Sequence, residues 1–121
     1  MAQPLGALFM IPHGDACSIL LPAAMELNMN YAAEKYARIA EALGVFDSAA
    51  SVDTNAKTAI ERVKEIRRET GAPESLAPYI SGKEPDMAAI IDTVMRTTGH
   101  IKCNPRPLND ELIKEIYGMC R

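Results

Sequence analysis

The stretch Ile11-Pro12-His13-Gly14-Asp15-Ala16-Cys17-Ser18-Ile19-Leu20-Leu21-Pro22-Ala23-Ala24-Met25-Glu26-Leu27-Asn28 decides how the rest of the chain is read. A helix is predicted from about Gly14 to about Asn28. Its residues Ala16, Cys17, Ile19, Leu20, Leu21, Ala23, Ala24, Met25 and Leu27 are apolar nearly all round, and such a helix is normally buried on every side. Pro22 removes a backbone donor and crowds the preceding turn, so a kink is predicted there. Pro12, His13, Gly14 and Asp15 interrupt the most hydrophobic run, which therefore falls short of a membrane span.

Working outward, Ala32, Tyr36, Ile39, Ala40 and Leu43 recur at helical spacing, and Gly44 supplies a stop. Val45 to Ser51 reads as a connector. Asp53 or Thr54 can cap a third helix whose stripe is Ala56, Ala59, Ile60, Val63 and Ile66. Gly71 and Pro73 end it, and residues 73–83 read as short turns. A further helix is predicted from about Pro85 to Thr98, burying Met87, Ala88, Ile90, Ile91, Val94 and Met95. Gly99 to Pro107 reads as a rigid loop broken by Pro105 and Pro107. Asn109 then caps a last helix through Leu112, Ile113, Ile116, Tyr117 and Met119. Upstream, residues 1–10 are apolar, so the chain opens on hydrophobic sequence with little before it to provide cover. The fold class is all-α, a single helical domain over residues 1–121.

Composition sets the outer bounds. With 121 residues, 48% of them apolar and 24% charged, the chain can bury one modest core and is not disordered. A net charge of −3 gives no footprint for nucleic acid. Met1-Ala2-Gln3-Pro4 has no basic region of the secretory kind. The three cysteines, Cys17, Cys103 and Cys120, are odd in number and scattered, which suits free thiols in a reducing cytoplasm.

Motifs for other chemistries are absent: no phosphate-binding glycine loop, no G-x-S-x-G, no H-E-x-x-H and no C-x-x-C. The two histidines, His13 and His100, are thus the scarce chemical resource. His13 is held between a proline and a glycine just before the apolar helix. Such a rigid setting suits a metal ligand, which must be oriented before binding. It equally suits a histidine that packs at a helix N-terminus.

The run Met1-Ala2-Gln3-Pro4-Leu5-Gly6-Ala7, then Ile11-Pro12-His13-Gly14, Leu20-Leu21-Pro22 and Asn28, resembles the second signature of the iron-containing (group III) alcohol dehydrogenases. Glu34-Lys35-Tyr36-Ala37-Arg38-Ile39-Ala40 with Leu43-Gly44, Gly71-Ala72-Pro73-Glu74-Ser75-Leu76 and Asn104-Pro105-Arg106-Pro107 follow in that family's order. The resemblance implies a helical bundle like the C-terminal domain of dehydroquinate synthase-like and iron-containing alcohol dehydrogenases. It also implies a partner α/β domain that binds NAD(P), and one divalent metal, iron or zinc, held by an aspartate and three histidines. His13 matches the last of these ligands; the other three would lie upstream of Met1. The family resemblance therefore points to a C-terminal fragment of an enzyme acting on a small alcohol or aldehyde, with the isolated chain inactive. Gln3 stands where many members have a histidine near the nicotinamide, and is the implied cofactor-binding residue. His100 precedes a loop that, by resemblance, approaches the cleft and the substrate. Arg106 is expected to tie that loop to a carboxylate or to helix-end carbonyls.

Two other readings stand beside this one. His13 and Cys17 at i, i+4, with His100 and Cys103 at i, i+3, could form a small structural zinc module if the two segments meet. Alternatively, the bare apolar start could make the chain a helical homo-oligomeric module, with contacts through residues 5–27. No nucleic-acid or membrane partner is expected.

Overall fold

The computed structural model describes residues 1–80 and 85–121, apart from the side chains of Thr98 and His100. Among the described residues seven helices follow one another and no strand occurs. They are α1 (Ala2–Phe9), α2 (His13–Ala42), α3 (Val52–Glu69), α4 (Ala77–Ile80), α5 (Met87–Arg96), α6 (Thr98–Ile101) and α7 (Asp110–Met119).

The axis of the fold is α2, whose 30 residues span about 45 Å. It joins what the sequence reads as two helices, and its one break in helical dihedrals lies at Ala32 (φ −141°, ψ 19°). Pro22, where a kink is predicted, keeps helical dihedrals and is buried. A single missing donor is tolerated there because burial of the ring against neighbours holds the turn in place.

At its far end α2 stops at Gly44, whose φ of +73° turns the chain back. The return is locked by Asn55, a buried side chain that accepts from the Asp47 N–H (2.8 Å) and donates to the Asp47 carbonyl (2.9 Å). The cap of α3 is Ser51, which accepts from the Thr54 N–H at 3.1 Å, rather than Asp53 or Thr54. α3 then runs back along α2, burying Ala56, Ala59 and Ile60 of its predicted stripe. Lys64, near its end, pairs with Glu26 on α2 and with Glu61.

The core sits at the other end. Leu5 of α1, Ile19 and Leu20 of α2, Leu76, Ile90 and Val94 of α5, and Leu112, Ile113 and Ile116 of α7 form one buried cluster. Each large side chain so buried contributes roughly 1.5–3 kcal/mol relative to exposure. Asn109 caps α7 as predicted, accepting from the Leu112 N–H at 2.8 Å. α5 begins at Met87 behind an Asp86 cap, and of its predicted buried set Ala88 and Met95 face out. No helix among the described residues is long and apolar enough to cross a membrane.

Candidate metal-side pocket

α1 and α2 meet at a sharp corner. Met10 closes α1 in the left-handed region (φ 56°), its N–H bonding the Gly6 carbonyl at 3.1 Å. Ile11 is buried beneath the corner, and Pro12, with φ −53° and ψ 137°, sets the extended backbone from which α2 starts. His13 is therefore the first residue of α2, fixed by the Pro12 carbonyl bond to the Ala16 N–H at 3.0 Å. Behind it, Asp15 accepts a 2.6 Å hydrogen bond from the Tyr79 hydroxyl of α4. That carboxylate in turn pushes the Tyr79 phenol above its usual pKa. Tyr79 lies 64 residues away in sequence, and no local signal pointed to it.

In front of the corner opens a pocket of about 600 Å³ lined by Met1, Ala2, Gln3, His13, Gly14, Cys17, Ser18, Leu20, Leu21 and Ala24. The structure thus brings Gln3 and His13, both exposed, to one cavity. His13, Cys17 and Leu21 recur at steps of four and share the pocket face of α2. The Cys17 thiol lies 3.5 Å from His13 Nε2. Leu21 is 49% exposed. The expectation of a helix buried on every side is corrected here: Ala16, Ile19, Leu20, Ala23 and Met25 are buried, but the Cys17–Leu21 face is open.

The stretch Gly99 to Pro107, expected as a rigid loop, begins inside the short helix α6 and becomes a loop only after Ile101. Asn104 and Asn28 exchange two amide hydrogen bonds of 2.9 Å, and Asn104 also donates to the Arg106 carbonyl. The Arg106 guanidinium sits over the Tyr31 ring, 5.9 Å from its centroid, and among the described residues it pairs with no carboxylate. Sequence reasoning placed Asn28 only within a motif and missed its partner. The side chain of His100 lies outside the described residues. Of the residues considered for a zinc module, His13 and Cys17 come together, whereas the Cys103 thiol donates to the Gly99 carbonyl at 3.5 Å.

Among the described residues no three His, Cys, Asp or Glu side chains converge to hold a metal. The donors present fit one corner of a metal site, an oriented imidazole at the edge of an apolar cavity. Fold and pocket together define an all-helical domain with one exposed imidazole beside an apolar cavity.

The profile of the Fe-containing alcohol dehydrogenase family, C-terminal part, matches residues 1–120, and the chain belongs to that family. It is 39% identical over 120 residues to lactaldehyde reductase of Escherichia coli K12, covering 97% of this chain and 30% of that protein. It is 32% identical over 117 residues to 1,3-propanediol dehydrogenase of Citrobacter freundii, with the same coverage, 97% and 30%. NADPH-dependent butanol dehydrogenase of Clostridium saccharobutylicum is 31% identical over 123 residues, covering 97% and 30%. The crystal structure of a 1,3-propanediol oxidoreductase superposes with a TM-score of 0.90 at 30% identity, covering 99% of this chain and 31% of that one. The chain therefore spans less than a third of the length of the relatives it matches.

Proposed function

We propose that this chain is the metal-side helical domain of an NAD(P)-dependent dehydrogenase for small alcohols or aldehydes, and that His13 is one of its metal ligands. The observation that carries the reading is the placement of His13 at the head of α2, opening with Gln3 on one apolar pocket. Iron or zinc, when bound, would polarise the alcohol oxygen so that hydride can leave for a nicotinamide.

The work of this chain's own residues follows from their setting. His13 presents an imidazole from a backbone already set by the Pro12 corner, so little main-chain ordering is lost on binding. Gln3 supplies an amide that can hydrogen-bond the cofactor or a substrate oxygen but cannot carry a proton near neutral pH. Leu20, Leu21 and Ala24 give the pocket an apolar wall that excludes water once an apposed domain covers it. His100 is assigned to the substrate side on family resemblance alone.

A chimera tests this. The chain would replace the matching C-terminal segment of Escherichia coli lactaldehyde reductase, and alcohol-dependent reduction of NAD or NADP would be followed by absorbance. The expected result is measurable turnover, lowered more than about 100-fold by His13→Ala, beyond the range usual for losing an outer-shell partner. A folded chimera equally active with and without His13 overturns the assignment.

A second reading concerns the isolated chain. Leu8 (48%), Met10 (89%) and Leu21 (49%) are exposed apolar side chains within the 5–27 stretch. That surface favours self-association through residues 5–27.

A further inference from the structure

The two helices that wall the pocket differ from others in how their starts are held. Ser51, Asp86 and Asn109 cap α3, α5 and α7 with their own side chains. Met1 and Pro12, ahead of α1 and α2, supply no side-chain cap. Each of these uncapped starts instead receives a phenol hydroxyl from a distant helix. Tyr117 of α7 donates to the Met1 carbonyl, and Tyr79 of α4 donates to Asp15 at 2.6 Å. We propose that Tyr79 and Tyr117 are positioning residues, two clasps that set the spacing of the pocket walls bearing His13 and Gln3 and so its fit to a bound substrate. The proposal rests on the reading of this pocket as part of a dehydrogenase active site.

Both clasps are anchored in the core. The Tyr117 ring belongs to the main apolar cluster, and the Tyr79 ring packs against it. Tyr79 is tied down through its own turn as well. Leu76 is buried, its N–H bonds the Cys120 carbonyl at 2.7 Å, and its carbonyl accepts from the Tyr79 N–H at 2.9 Å. The hydroxyls are therefore carried by rings fixed to the core, not to the helix ends that they hold.

The helix ends need that restraint. Pro12, His13 and Gly14 are exposed, and a Cβ added at Gly14 would meet nothing within 4 Å. The first turn of α2 is thus tied to the fold through Asp15 and the buried Ala16. α1 has eight residues, too few for a helix to be stable on its own. Its Met1, Ala2 and Gln3 form one side of the pocket, and His13, Gly14 and Cys17 line the α2 side. Both phenols are held above their ordinary range, Tyr79 chiefly by its bond to Asp15 and Tyr117 by burial, so both remain donors at neutral pH.

Tyr79→Phe and Tyr117→Phe keep the rings and remove only the hydroxyls, and NMR of the full 121-residue chain reads the result. Tyr79→Phe should shift the Asp15 and Cys17 amides and broaden the His13 ring resonances. Tyr117→Phe should shift the amides of Ala2 and Gln3. The Ala56 and Ile60 amides of α3 should stay in place in both. Asp15→Ala should reproduce Tyr79→Phe, whereas Asp15→Asn, which keeps an acceptor for the hydroxyl, should stay near the wild-type spectrum. In the chimera with Escherichia coli lactaldehyde reductase, either phenylalanine variant should raise KM for lactaldehyde on the order of tenfold. A merely structural role would lower the folded fraction and leave KM unchanged. Unmoved His13 and Gln3 resonances, or an unchanged KM in a folded chimera, overturn the clasps. Changes at both walls, with turnover indifferent to His13→Ala, keep the clasps and overturn only the reading of the pocket.

Discussion

At the scale of single residues, two buried groups carry more than their size suggests. Asn28 is 3% exposed, and its amide is satisfied by Asn104 in the loop after α6. Asn28→Ala would strip the pairing from Asn104 and free the 104–107 loop, at a cost of about 1–3 kcal/mol. Urea unfolding of Asn28→Ala, Asn104→Ala and the double variant should show that most of the loss is shared; additive losses would mean that the pair does not act as a unit. Cys120 gives a pH prediction. Burial pushes its thiol from 9.0 up to about 11. Below pH 9 folded and unfolded chains both hold the proton. Between the two values the unfolded chain releases it first, so stability falls as pH rises through this window, by on the order of 2 kcal/mol. Cys120→Ala should flatten that fall between about pH 9 and pH 11, leaving the part due to Tyr117, whose phenol is also raised by burial.

Among the elements, what could be read in advance was what is decided locally. Gly44 and Gly71 stop helices because both sit at positive φ, and Asn109 caps α7 because its side chain reaches the Leu112 N–H. The break at Ala32 carries no such signal, since alanine is the residue least expected to end a helix. Ala32 is buried, so the break lies within the packed fold. In the same way, an apolar count along residues 14–28 reveals that α2 is buried but not which face the fold leaves bare. His13, read from its motif as standing just before the apolar helix, is the first residue of α2, while the open Cys17–Leu21 face became visible only with α1 in place. That corner stores strain at Met10, a non-glycine residue at φ 56° whose side chain is 89% exposed and so packs against little. Met10→Gly removes the Cβ clash and should stabilise the chain by about 1 kcal/mol, measured by urea unfolding. Measured at a concentration where the chain is monomeric, a destabilised variant would mean that the left-handed backbone at Met10 carries no strain.

Over the whole molecule, exposed large apolar side chains occur on several elements, and three of them, Leu8, Met10 and Leu21, belong to α1, the α1–α2 corner and α2. Leu21 projects from α2 at the pocket, Leu8 is exposed on α1, and Met10 is exposed at the corner between the two helices. Such an apolar corner costs hydration free energy that burial against a second surface recovers, at roughly 25 cal/mol per Å². In the isolated chain the nearest available surface is the same corner of another copy, which a twofold arrangement can match with itself. Sedimentation velocity of the 121-residue chain should therefore show a reversible dimer. Leu21→Asp should shift it to monomer, because each copy would then bury a carboxylate against its symmetry mate. Val52→Asp, at an exposed position at the start of α3, should leave the dimer intact. A wild-type chain that stays monomeric well above micromolar concentration would overturn the self-association reading while leaving the metal-side assignment of His13 untouched. In the chimera with lactaldehyde reductase, the apposed domain should cover the same corner, and Leu21→Asp should then lower activity instead of altering the oligomer.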